Sequence, residues 1–124
     1  MIRQLLLVGL GGGIGSILRF LTSLWVNKHY SSTFPLATFI INILGCLIIG
    51  LLIGLSTKYD IMDRGLKYLL IIGFCGGYTT FSTFSSENMK LLEGGNYLTL
   101  VTYITITILL GLFALWIGNA LSKI

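Results

Sequence analysis

Charge is the scarcest property of this chain. Only four acidic and eight basic side chains and one histidine occur among 124 residues, so 10% of positions are formally charged. A water-soluble domain usually carries about a quarter, which excludes an ordinary soluble enzyme. Two isolated cysteines, Cys46 and Cys75, exclude a disulfide scaffold. With His29 alone in a polar segment, no metal-ligand cluster can be assembled, nor any nucleophile with its base and orienting partner. Both cysteines read as small buried apolar groups. Disorder is excluded by what is abundant: 55% of positions are apolar and the mean hydropathy is +0.94. The pI near 9.3 rests on few charges and points to anionic headgroups as neighbours, not to nucleic acid.

What remains is an integral membrane protein. At roughly 20 residues per span, the length predicts a single membrane domain over 1–124 with four helices, at about 4–26, 35–55, 66–88 and 97–121. Pro35 suits the start of the second, where its missing N–H has no helical partner. The first run is too long for a cleavable signal peptide and is read as a retained span. Continuous apolar runs, without period-two alternation, argue against a β-barrel. Arg3, Lys58, Arg64, Lys67 and Lys123 fall on one side of the predicted topology, and Lys28 and Lys90 on the other. That bias favours an inside N-terminus but is softened by Asp60 and Asp63 in the same loop.

Sixteen glycines are distributed with purpose. Gly9/Gly13, Gly11/Gly15, Gly50/Gly54 and Gly73/Gly77 stand at the four-residue spacing that lets helix backbones approach in lipid. Four short helices enclose little interior of their own, so a ligand path calls for an oligomer.

A few polar residues interrupt the apolar runs. Arg19 lies seven residues, roughly 10 Å of helix rise, from the end of its span. It either snorkels to the headgroups or faces a wet interior, and in both cases requires a partner. Asn42, flanked by isoleucines, either glues helices or lines a pore. From Gly73 to Glu87 the chain becomes rich in small and hydroxyl residues, which predicts a helix broken within the membrane. Gly76 and Gly77 are expected to leave helical geometry there, with the threonines and serines capping freed backbone groups. Phe81 and Phe84 share a face; they are either packing residues or present positive ring edges to a small anion. Tyr103 and Thr107 are four apart, with Gly111 continuing the row. Their hydroxyls either bond their own helix or replace water around a moving anion.

Residues 73–85, GFCGGYTTFSTFS, resemble the signature of the CrcB/Fluc fluoride channels. Residues 11–20, GGGIGSILRF, are similar to that family's GGxxGAxxRY, with Ser16 for the usual alanine and Phe20 for the usual tyrosine. Residues 38–45, TFIINILG, resemble its TLxVNxxG. The resemblance implies a multi-pass, fluoride-selective channel of the cell membrane that exports fluoride passively and protects against its toxicity. It also implies a dual-topology homodimer, two identical subunits inserted antiparallel in the lipid bilayer with two pores along their interface. One Na+ is expected at the centre, held by the backbone carbonyls of Gly76 and Thr79. Asn42, Phe81, Phe84, Ser82, Thr83, Tyr103 and Thr107 match pore positions, and Arg19 and Glu87 match charges near the vestibules. Gly111 departs from the polar track where a further hydroxyl is usual.

Fluoride is small and strongly hydrated, so conduction needs neutral donors that replace water without trapping the ion. Two other readings compete. A small four-helix, proton-coupled multidrug exporter would need a membrane-embedded carboxylate, and the first span holds none. A structural scaffold leaves the polar cluster of the third span unexplained.

Overall fold

The computed structural model describes residues 1–59 and 63–124. Asp60, one of the two acids expected to soften the charge bias, lies outside the described residues. Helix α1 spans Ile2–His29 and α2 spans Leu36–Tyr59. A composite rod follows, made of α3 (Arg64–Leu66), a π-helical stretch (Lys67–Cys75) and α4 (Gly76–Tyr78). Then come α5 (Phe81–Glu93) and α6 (Tyr97–Leu121). Among the described residues, three helices, α1, α2 and α6, are each long and apolar enough to cross a membrane. The third segment is broken, as expected. Neither its rod nor α5 alone matches them.

Two helix pairs build the molecule: α1 lies along the rod, and α2 lies along α6. Glycines make both contacts. A Cβ on Gly11 would collide with the Leu69 carbonyl, and one on Gly15 with the Phe74 carbonyl, so the two backbones touch where a side chain would hold them apart. Across α2 and α6, Gly50 meets the Leu115 carbonyl and Gly118 that of Leu47. In each pair the contacts advance together along both chains, so α1 runs parallel to the rod and α2 parallel to α6. Gly9 and Gly13 do not take part, contrary to the spacing argument. A Cβ at either meets nothing within 4 Å, because they lie on the face of α1 turned away from the rod.

The break also falls elsewhere than expected. Gly76 keeps helical dihedrals (φ −62°, ψ −35°), and Gly77 is helical too, pressed against the backbone of Gly12. Thr79 (φ −76°, ψ 158°) and Thr80 (φ −150°, ψ 119°) are the extended residues. Gly77 is used for close packing, and the hydroxyl residues make the turn. Thr79 Oγ1 donates to the Cys75 carbonyl (2.9 Å), while Thr80 Oγ1 accepts the Thr83 N–H (3.2 Å) and caps α5.

The interior is thin. Val26, Ile41, Cys75, Tyr78, Leu91 and Tyr103 are among its buried members. Large side chains such as Leu6, Leu10, Leu109, Phe113 and Trp116 point outward. Such extended apolar exposure fits a bilayer, not water.

Candidate functional site

Two rows of residues at four-residue intervals face one another across the α2/α6 contact. Thr38, Asn42 and Cys46 lie on α2; Tyr103, Thr107 and Gly111 lie on α6. Residues four apart share a helix face, and the parallel run of the two helices keeps the rows in register. The break between α4 and α5 lies against their middle, and a cavity of about 420 Å³ opens there. Asn42, Thr79, Thr80, Phe81, Phe84 and Thr107 line it, together with Cys46 and Gly111.

Each polar group has a definable task. The Asn42 carboxamide holds both backbone polar groups of Thr80: its Oδ1 accepts the Thr80 N–H (2.8 Å), and its Nδ2 donates to the Thr80 carbonyl (3.0 Å). Extended backbone inside a membrane must find such partners. Asn42 therefore acts first as the brace of the break, with one amide hydrogen left for anything in the cavity. Arg19, half-buried on α1, donates through Nη1 to the Thr79 carbonyl (3.2 Å). Of the two sequence readings, it takes the one turned toward the protein.

At one end, Glu87 is no isolated vestibule charge. Thr38 Oγ1 donates to its Oε1 (2.7 Å) and the Tyr103 hydroxyl to its Oε2 (2.8 Å). Tyr103 is fully buried and is wedged between Phe34 and Phe84, ring centroids 5.3 Å and 5.0 Å away. The pair Phe81 and Phe84 (6.0 Å, 39°) then leads from this cluster to the open side of the cavity. Phe81 is 79% exposed, far more than a packing residue within one chain would be. Thr107 Oγ1 is buried with no hydrogen-bond partner among the described residues. The bond to its own helix, the plainer reading of the α6 hydroxyls, is absent there.

Not every expected pore residue meets at this cavity. Ser82 and Thr83 are exposed on the first turn of α5, outside the lining. Their hydroxyls contact Thr80 Oγ1 (3.4 Å and 3.0 Å), so both belong to the cap of the break. Gly76 stands on an open face, with nothing within 4 Å of its Cβ position. Carbonyls freed at the C-terminal end of a half-helix are the neutral oxygen donors that suit an alkali cation. Gly76 and Thr79 fit half of such a site, since two carbonyls are too few to surround an ion and Arg19 already engages one of them.

Thr38 and Cys46 escaped the sequence reading as members of the site, although both lie four residues from Asn42. That spacing was the available signal. No sequence pattern announced that Glu87 would turn inward to meet Thr38 and Tyr103.

These features can be set beside known proteins. The profile of the family described as CrcB-like protein, Camphor Resistance (CrcB), matches residues 6–119. A protein named fluoride-specific ion channel FluC from Azobacteroides pseudotrichonymphae is 50% identical over 123 residues, covering 99% of this chain and 98% of its own. One of the same name from Flavobacterium psychrophilum is 48% identical over 121 residues, 98% of each chain. Another from Azotobacter vinelandii is 42% identical over 124 residues and covers both chains completely. With a profile spanning nearly the whole sequence and full-length relatives well above 30% identity, the chain is a multi-pass membrane protein that belongs to the CrcB family.

Proposed function

We propose that the protein is a fluoride-selective channel that lets fluoride leave the cell passively and so limits its toxicity. The observation that carries this reading is the cavity beside the helix break, where Asn42, Thr107 and the edges of Phe81 and Phe84 converge. All are neutral. Neutral donors suit a small anion that must shed water and still move on. Full-length relatives named as fluoride-specific channels support the same conclusion and leave the proton-coupled exporter without support. Moving a monatomic ion breaks no covalent bond, and the protein is not an enzyme.

Along the path, Asn42 offers its remaining N–H and Thr107 its unpartnered hydroxyl. The rings of Phe81 and Phe84 offer positive edges. At the Phe84 end, Glu87 holds the hydroxyls of Thr38 and Tyr103. Those donors are oriented before an ion arrives, and an entering anion competes with the carboxylate for them. Ser82 and Thr83 act on the path through the geometry of the break.

The working unit is a homodimer of antiparallel copies in the cell membrane, with the divided third segment of each crossing as its fourth span. The outward-facing cavity and the exposed Phe81 are what a second copy would cover. Na+ bound by the Gly76 and Thr79 carbonyls of both copies would supply a fixed positive charge near the paths. Equal insertion in both directions is compatible with the short loops, which leave only a modest charge bias.

Proteoliposomes loaded with fluoride or chloride provide the test. Rapid, voltage-driven fluoride loss with chloride retained is the expected result. Fluoride transport that requires a proton gradient would remove the channel reading.

A further inference from the structure

Away from the pore, a second cavity of about 250 Å³ lies between the first turns of α1 and the start of the composite rod. Arg3 and Gln4 line it from α1, and Arg64 and Tyr68 from the rod. We propose that this cavity seats the phosphate of an anionic phospholipid headgroup. The site is independent of the fluoride path and of the family assignment.

Three observations carry it. The first is convergence. Arg3 reaches across to the start of the rod, its Nη2 in ordinary contact distance (3.4 Å) of the Cβ position of Gly65, which also lines the cavity. Guanidinium groups from two separate elements thus share one small cavity, and planar forks of this kind match phosphate oxygens. The second is charge balance. The nearby carboxylate, Asp63, is turned to the rod, its Oδ1 accepting the Leu66 N–H (2.8 Å). It sets one negative charge against the two guanidinium groups, so among the described residues the cavity keeps a net positive charge.

Depth is the third. Because α1 and the rod run parallel, both begin at the same end of the molecule, and the arginines sit where the apolar runs start. The exposed side chains of Leu6 and Leu10 continue from Arg3 along α1. A phosphate in the cavity would therefore have acyl chains that follow this apolar face. Free phosphate would use the guanidinium groups but gain nothing from the leucines. Basic pockets between membrane helices at headgroup level are a recurring way to hold anionic lipids. Tyr68, which lines the same cavity, is of a residue type common at this interface.

The test is lipid binding to the purified full chain in neutral detergent, followed by native mass spectrometry with phosphatidylglycerol and phosphatidylcholine. Phosphatidylglycerol is expected to bind the more tightly. In Arg3→Gln/Arg64→Gln its affinity should fall about 30-fold, roughly fivefold for each arginine. Arg3→Lys/Arg64→Lys should retain most of the binding, and Lys90→Gln, at the far end of the molecule, all of it. If the double glutamine variant does not fold, the single Arg3→Gln variant carries the test with its fivefold loss. Unchanged binding in the glutamine variants, equal affinity for phosphatidylcholine, or an equal loss in Lys90→Gln would overturn the proposal. Displacement of phosphatidylglycerol by excess inorganic phosphate would also overturn it, by assigning the cavity to a soluble anion.

Discussion

Asn42 holds both the N–H and the carbonyl of Thr80, so one side chain on α2 satisfies both backbone polar groups of the residue at which the third segment breaks. The same side chain lines the cavity. Bracing and conduction are therefore coupled at this residue, and a substitution must be read on both.

Asn42→Ala strands two backbone groups, at a cost of about 1–3 kcal/mol each, and should lower thermal stability together with fluoride flux. Asn42→Asp keeps the acceptor for the Thr80 N–H but turns the donor into an acceptor that faces the Thr80 carbonyl. It should abolish flux and cost at least as much stability as alanine, because it opposes two acceptors and buries a charge. Thermal unfolding and liposome efflux on the same preparations check this. Full flux through the aspartate variant would separate Asn42 from the path.

Phe81 offers a cleaner separation, because at 79% exposure it contributes little to the packing of a single chain. Phe81→Ile should leave the folded protomer intact and cut fluoride flux at least tenfold. A variant that conducts normally would show that the ring edge is not used.

The Tyr103 hydroxyl donates to a carboxylate in a buried setting. Phenylalanine preserves the ring contacts with Phe34 and Phe84 and deletes only that bond. Tyr103→Phe is expected to lose about 1.5–3 kcal/mol, the range for hydrogen bonds to charged groups. Denaturant unfolding in detergent measures it, and a loss below about 0.5 kcal/mol would mean that Glu87 finds another donor.

At Gly111 there is room for more than hydrogen. A Cβ would stand 3.6 Å from Cys46 Sγ and 4.0 Å from Ile43 Cδ1, ordinary contact distances. Gly111→Ser should fold normally and extend the hydroxyl row beyond Thr107. Its fluoride flux should rise, and a fall would indicate that the row ends functionally at Thr107.

Arg19 and the proposed Na+ meet at one atom, the Thr79 carbonyl. A guanidinium there repels a second cation, so Arg19→Gln should lower the Na+ concentration that sustains fluoride flux. Efflux measured over a Na+ series reads the shift directly. A higher Na+ requirement in the variant would show that Arg19 organises the site instead of competing for it. Flux insensitive to Na+ in the natural protein would remove the Na+ site altogether.

Much of this molecule is written in composition and spacing. Long apolar runs with few charges leave no soluble fold available, because burying or solvating so much apolar surface in water is impossible at this size. Spacing of four placed Tyr103 with Thr107 and Gly111 on a shared face, since helix periodicity is a local property. The hydroxyl-rich segment after Gly77 showed that a helix would break, because such side chains can replace missing backbone partners.

Only the tertiary structure decided where the break falls and what each partner does. Gly77 could either bend or pack, and the proximity of Gly12 resolved that in favour of packing, which moved the turn to Thr79 and Thr80. Whether Arg19 faced lipid or protein depended on a carbonyl sixty positions away in the chain. Glu87 required Thr38 and Tyr103 from two other helices before it became a bonded member of the site. Local patterns determine which face a residue occupies; which donor meets which acceptor is determined by how separate helices are brought together, and that geometry is not encoded in any one stretch of sequence.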